Sequence, residues 1–331
     1  MITHEERPRH ILIVMTGGTI AMKDYPNRGI VPTSEFTDFL RSFPQLNRVA
    51  MVDTYEYSNI PSPYMTPQKM FELAKLIDLK ILDYDGVVVT HGTDTLEETA
   101  FLCDLILTTR KPVVFTAAMR SGSDLGLDGP RNIIGAVRVA SNYEAMDKGV
   151  LVVMNDEIHT ARDVVKSDTG KVDAFTSPGY GALGTVDPDK IVFHHLSLHR
   201  EQVWTEQIDT NVDLIKSCAG IDGKFVQCAV ENGARAIVIE ALGRGNLPLE
   251  ILPAIQETLD KGVLVVICSR TTTGRVLPEY GYEGGGKHLQ DLGCILASDM
   301  KGIKARLKLM ALFGKYHDAG MVKRFFLQSV E

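Results

Sequence analysis

The sequence predicts an α/β protein: a large N-terminal, doubly wound, mostly parallel sheet followed by a smaller C-terminal α/β domain. Three observations predict it. Short continuous apolar runs rich in β-branched residues (Ile11–Met15, Gly86–Thr90 and Gly149–Met154) read as strands buried on both faces. Amphipathic runs of helical length alternate with them, the pattern of βαβ units joined by right-handed crossovers. The rhythm breaks once, over the polar stretch HHLSLHREQVWTEQIDTNVDLIK, and then resumes. At 331 residues the chain has room for two domains of about 100–200 residues each. The division is drawn as an N-terminal domain over 1–195, a linker over 196–221 and a C-terminal α/β domain over 222–331.

Each element has a local reason. Ile11–Met15 is the first strand and runs straight into Thr16-Gly17-Gly18-Thr19. Past a loop through Tyr25, Pro26, Asn27 and Gly29, Ser34 reads as the N-cap of EFTDFLRSF. Met51–Tyr57 reads as a strand, and Thr66-Pro67 is a cap followed by Pro at the first helical position, opening QKMFELAKLIDLK. Gly86–Thr90 is a buried strand ending in His91-Gly92-Thr93-Asp94-Thr95, with the helix LEETAFLCDLIL behind it. Lys111–Thr116 is a strand, Pro130–Asn142 a helix, and Gly149–Met154 a further strand. Beyond the break, Arg235–Ala241 and Val263–Ser269 read as strands, and Leu247–Asp260 and Met300–Phe313 as helices.

Composition narrows the function. Apolar residues make up 44% and charged residues 23%, which excludes a disordered or fibrous chain. With 35 Lys and Arg against 42 Asp and Glu, the net charge of −7 gives no electrostatic reason to seek a phosphate backbone, so no nucleic-acid partner is expected. Five cysteines, an odd number with no C-x-x-C pair, read as reduced thiols rather than a disulfide framework or a zinc site. The polar start MITHEERPRH and the short apolar run behind it do not make a signal peptide. No stretch approaches the ~20 apolar residues of a membrane helix, so no membrane partner is expected. A cytoplasmic location is expected. His194, His195 and His199 could mimic a metal cluster but read as linker residues, so no metal is expected.

In open parallel sheets, ligands bind beyond the carboxyl ends of the strands. Two such ends carry dense hydroxyl clusters, TGGT and HGTDT. In the first, the glycines permit a sharp turn and leave amides open to a ligand. The alternative is a plain tight turn. Neither G-x-G-x-x-G nor a phosphate-binding P-loop is present. In the second, Asp94 or Thr95 could cap the following helix, with Glu97 or Glu98 completing a capping box. A cap explains one polar residue, but four stand within the five positions 91–95. His91 is given no role. Lys166, in ARDVVKSD after the Gly149–Met154 strand, is either a surface charge or, if buried beside a carboxylate, a base or proton relay. A threonine hydroxyl needs a base for its proton and donors for an oxyanion. Thr, Lys and Asp with turn amides meet both needs and suggest acyl transfer on a carboxamide or ester.

These residues match a known family. TGGTIA (Thr16–Ala21) and THGTDTLEETA (Thr90–Ala100) resemble the two signature segments of the bacterial-type L-asparaginase/glutaminase family. The resemblance continues through AAMR (Ala117–Arg120), LDGPRN (Leu127–Asn132), GVLVVMND (Gly149–Asp156), ARDVVKSDT and FTSPGYGALG (Phe175–Gly184). It persists more weakly in GRGNL (Gly243–Leu247) and in CSR and TTTG (Cys268–Gly274). It spans essentially the whole chain.

The resemblance implies the same two-domain fold and the hydrolysis of L-asparagine to L-aspartate and ammonia, with no metal or organic cofactor. It implies Thr19 as nucleophile, and Thr93, Asp94 and Lys166 as the second catalytic group. It implies Asp94 on the substrate α-amino group, Ser62 on the α-carboxylate, and Asn246 supplied by a neighbouring subunit of a homodimer or homotetramer whose sites lie at the dimer interface. Three departures stand out. The family's loop Tyr has no counterpart in Gly29-Ile30-Val31-Pro32, and Tyr25, earlier on that loop, is its candidate substitute. Pro63 follows Ser62 where relatives carry a polar side chain, which leaves selectivity between asparagine and glutamine open. The family Glu near the site falls on Glu279 or Glu283, with Glu283 taken as the substrate-binding candidate. The alternatives are a glutaminase-asparaginase of broad specificity, the amide-releasing subunit of a tRNA-dependent amidotransferase, and a non-catalytic amino-acid sensor on the same fold. Only about ten residues precede the first strand, which counts against the amidotransferase subunit and its extra N-terminal domain.

Overall fold

The computed structural model describes residues 8–25, 29–32, 44–197 and 200–328. The helix expected after Ser34 lies outside the described residues, as does His199. The chain divides into two compact units, 1–202 and 203–331.

In the first unit the strands are β1 (His10–Gly17), β2 (Met22–Tyr25), β3 (Gly29–Pro32), β4 (Met51–Ile60), β5 (Gly86–Thr90), β6 (Val113–Thr116), β7 (Val150–Met154), β8 (Glu157–Thr160), β9 (Val165–Lys166), β10 (Phe175–Thr176), β11 (Gly184–Val186) and β12 (Ile191–Phe193). The helices are α1 (Pro44–Val49), α2 (Pro67–Lys80), α3 (Leu96–Ile106) and α4 (Gly129–Ala140). Eight strands form one sheet in the order β12-β11-β8-β7-β6-β5-β1-β4, parallel from β4 through β7 and antiparallel from β7 to β12. The continuous apolar runs are β1, β5 and β7, each buried along the run, and β6 between β5 and β7 is buried as well. Helices α1 and α4 pack together, as do α2 and α3. The core between the sheet and α4 gathers Ile11, Ile13, Val88, Val114, Ile133 and Val137.

Two differences from the sequence reading have physical causes. The strand expected to end at Tyr57 continues to Ile60, because Gly17 pairs with Ile60 past the irregularity after Met15. Asn155 and Asp156, both at positive φ (49° and 65°), form a two-residue hairpin turn that sends β8 back along β7. That turn creates the antiparallel flank, which a search for apolar runs passes over.

The second unit holds a four-stranded parallel sheet, β13 (Val212–Lys216), β14 (Ala236–Ala241), β15 (Leu264–Ser269) and β16 (Ile295–Leu296), with helices α5 (Lys224–Glu231), α6 (Leu252–Asp260), α7 (Gly286–Leu292), α8 (Gly302–Lys315) and α9 (Ala319–Gln328). Strand β13 falls inside the stretch drawn as linker. As an edge strand in which only Val212 is fully buried, it lacks the apolar run that marks its neighbours. Helix α6 starts later than Leu247 because Pro253 lacks an N–H donor, and only a 3-10 turn precedes it.

Candidate active site

The site forms where the carboxyl ends of β1 and β5 lie side by side, β1 being paired in parallel with both β5 and β4. Thr16, 1% exposed, donates its hydroxyl to the Thr90 carbonyl at 3.0 Å and ties the two strand ends together. Gly17 and Gly18 then turn the chain at φ of 106° and 84°, in the region open to glycine. Their role is spatial. A Cβ on Gly18 would stand 2.2 Å from the Gly92 Cα, and one on Gly92 would stand 2.6 Å from the Ser62 Cβ. Three segments far apart in sequence therefore touch only because two side chains are missing. The expectation that the glycine amides stay open is corrected at Gly18, whose N–H donates to the Ile60 carbonyl at 3.2 Å. Thr19 follows at once, half-buried, as the first residue of the 3-10 turn Thr19–Ala21.

At the end of β5, Thr93 is 7% exposed. The Lys166 Nζ donates to its hydroxyl at 2.9 Å and to the Asp94 carboxylate at 2.6 Å. The lysine side chain is 15% exposed, so it is enclosed rather than solvated, while Asp94 at 59% faces open space where a ligand ammonium could reach it. Ser62, at the start of the turn after β4, is 5% exposed and accepts the Asp94 N–H on its Oγ at 3.2 Å. That bond leaves the Ser62 hydroxyl hydrogen to donate to a ligand carboxylate.

The capping reading of this segment also changes. Thr95 is the N-cap of α3 by position, but its hydroxyl donates to the Ser62 carbonyl at 2.8 Å instead of capping. Glu97, 8% exposed, turns one carboxylate oxygen toward the Lys166 backbone N–H at 3.4 Å. Its spacing in the sequence suits a cap, and nothing in that spacing reveals a tie to residue 166. His91 is fully buried, with Nδ1 2.8 Å from the Gly92 carbonyl. Burial drops its pKa to about 4, so the ring is neutral at pH 7.

The remaining candidates divide by unit. Tyr25 ends β2, and its side chain lies outside the described residues. Asn246 and Glu283 belong to the second unit. Asn246 is half-buried and accepts the Gly286 N–H on its Oδ1 at 3.3 Å. Glu283 is exposed, and Glu279 pairs with Arg244 at 3.3 Å. His194 and His195 are exposed, and no group of three or more metal-ligating side chains occurs among the described residues. No described helix is long and apolar enough to cross a membrane.

Comparison with known proteins places this geometry in context. Residues 10–198 match the family model described as asparaginase, N-terminal, and residues 211–326 match the glutaminase/asparaginase C-terminal domain. The chain is 39% identical over 326 residues to a probable L-asparaginase of Deinococcus radiodurans, covering 97% of this chain and 98% of that one. It is 34% identical over 312 residues to an L-asparaginase of Bacillus licheniformis (94% and 97% covered). It is 32% identical over 331 residues to a glutaminase-asparaginase of Pseudomonas fluorescens (96% and 90% covered). A crystal structure of a probable cytoplasmic L-asparaginase from Campylobacter jejuni superposes with a TM-score of 0.85 at 33% identity, covering 96% of this chain and 99% of that one.

Proposed function

The chain belongs to the bacterial-type asparaginase family, and on that premise we propose that it hydrolyses L-asparagine to L-aspartate and ammonia through a threonine nucleophile. The observation that carries the chemistry is the Lys166 amine set between the Thr93 hydroxyl and the Asp94 carboxylate. The hydroxyl of Thr19 attacks the side-chain carboxamide carbon. The C–N bond breaks, and the nitrogen leaves as ammonia after taking a proton. The relay of Thr93 and Lys166 accepts the proton of the attacking hydroxyl, and Asp94 holds the lysine amine in place. Water, deprotonated through the same relay, then attacks the Thr19 ester, releases aspartate and restores the hydroxyl. Ser62 binds the α-carboxylate and Asp94 the α-amino group. These residues supply the acid–base chemistry by themselves, so the reading calls for no metal or organic cofactor. Asn246 and Glu283 complete the binding site, Asn246 from a neighbouring copy, which makes the working form a homodimer or homotetramer. The cytoplasm is the proposed location.

The test is ammonia release from asparagine and from glutamine, measured for the wild type and for Thr19→Ala. The expected result is turnover of asparagine that falls at least about 1,000-fold in the variant while the protein stays folded. Near wild-type turnover in Thr19→Ala refutes Thr19 as nucleophile. A kcat/KM for glutamine equal to that for asparagine makes the enzyme a glutaminase-asparaginase, since one methylene is worth only about 1–3 kcal/mol of discrimination.

A further inference from the structure

Lys166 has a slender seat. It lies on β9, a strand of two residues whose partner β10 is equally short, with Phe175 opposite Lys166 and Thr176 opposite Val165. Ser167 adds two bonds to the Ala174 carbonyl, from its N–H at 2.7 Å and its hydroxyl at 2.9 Å. A ribbon this short does not hold its shape alone. Glu97 meets it at one end, at the Lys166 N–H.

At its other end the residue after β10 is Ser177, 5% exposed, whose Oγ lies 2.9 Å from the Nδ1 of His159. His159 is 1% exposed and sits on β8 opposite Val152 of β7, within the eight-stranded sheet. The Glu157 carboxylate is 3.3 Å from the other ring nitrogen, Nε2. The contact to Glu157 is not a hydrogen bond, and the bond between Ser177 and Nδ1 forms in either ring tautomer, with the hydroxyl as donor or as acceptor. Burial lowers the His159 pKa to about 4, which keeps the ring neutral around pH 7. The Ser177 hydroxyl is buried and has no access to a substrate.

We propose that His159 is a positioning residue for Lys166: through the Ser177 hydroxyl it pins the β9–β10 ribbon to the sheet and so fixes the lysine amine against Thr93 and Asp94. The inference rests on the reading of Lys166 as the proton relay. It assigns the pair a task beyond filling space, because a displacement of about 1 Å at a catalytic group can cost about 100-fold in rate.

The experiment measures kcat, KM, the pH profile of kcat and the unfolding temperature for full-length His159→Ala, His159→Asn, Ser177→Ala and the Ala/Ala double variant, with Lys166→Met in parallel. The expected result is a kcat lowered about 10- to 100-fold in each single Ala variant, with KM changed less than about 2-fold. The double variant should be no slower than either single one, because both remove one link. Asn, whose amide can accept from or donate to the Ser177 hydroxyl, should restore most of kcat, and the pH profile should move in His159→Ala but not in His159→Asn. Unchanged kcat in both single Ala variants overturns the proposal. So does a lower unfolding temperature with kcat per folded molecule and the pH profile unmoved. If His159→Ala does not fold, Ser177→Ala, which removes a single oxygen, carries the test. An active Lys166→Met refutes the relay itself, whereas an inactive Lys166→Met with fully active His159 and Ser177 variants refutes only the positioning role.

Discussion

The two parallel sheets are assembled from the same local pieces, yet their strand orders differ. In the second unit β13, β14, β15 and β16 lie side by side in chain order. In the first, the chain leaves β1 for β4 on one side and returns to β5 on the other, so the order reverses between β1 and β5. Loops leaving two neighbouring strands in opposite directions leave a crevice between them. Thr19 and Thr93 follow the two strands that flank this reversal. The second sheet has no such reversal, and its neighbouring strand ends are cross-tied as Thr16 ties β1 to β5: Ser217 N–H to the Glu240 carbonyl at 2.9 Å, the Ser269 hydroxyl to the Gly243 carbonyl at 2.5 Å, and Arg270 N–H to the Ala241 carbonyl at 2.9 Å. Similar strands thus end in different settings, and the difference lies in topology rather than in strand composition.

That contrast can be broken or sharpened by experiment. The largest effect belongs to the lysine that enters the crevice. Lys166→Met should lower kcat at least about 1,000-fold with substrate binding largely retained. Unchanged kinetics would return Lys166 to the class of ordinary surface charges. Next comes the contact that closes the crevice floor. Gly92→Ala places a methyl 2.6 Å from the Ser62 Cβ. It should cost about 3 kcal/mol in unfolding free energy and most of the activity, since neither backbone can retreat without moving its strand. Wild-type stability in this variant would mean that the two loops are not held in contact.

A stability scan against pH probes the same region. His91 titrates near 4 in the folded state and near 6.5 when unfolded, so the unfolded chain binds the extra proton between those values. Stability should therefore rise with pH across that window, by up to about 3 kcal/mol from this group. His159 acts in the same direction. Buried Asp104, raised to about 6 by desolvation and only partly relieved by Arg200, acts in the opposite one: its contribution falls as pH rises from about 4 to about 6. His91→Gln should flatten the rise, as read by chemical denaturation at several pH values, and an unaltered slope would show that His91 is not the titrating group. The smallest effect is expected at Gly262 in the second unit, at φ 77° with nothing within 4 Å of where a Cβ would stand. Gly262→Ala should cost about 1 kcal/mol from backbone strain alone and leave kcat untouched.

Much of the fold was legible because it is written locally. The strands β1, β5 and β7 are continuous apolar runs, and the Thr66-Pro67 cap is a local signal whose Oγ1 accepts the Lys69 N–H at 3.4 Å. Thr93 and Asp94 were legible as chemistry because four polar residues within five positions at a strand end exceed what a cap requires. Other features had no local signature. Strand β13 carries the weak pattern of an edge, and β9 is too short for any periodicity. Glu97 imitates a capping residue while serving the backbone of Lys166. The glycines of TGGT read as open anion donors, but Gly18 spends its amide on Ile60 and acts as a spacer.

By itself the sequence determined the α/β alternation, the two-part chain and the inventory of hydroxyl, carboxylate and amine groups, since propensity and periodicity act over a few residues. The tertiary structure alone decided which of those groups meet. Lys166 finds Thr93 across 73 positions, and Gly18 presses on Gly92 across a further strand boundary. Such meetings depend on strand order and on close packing between distant segments, and neither quantity is encoded in the period of a single run.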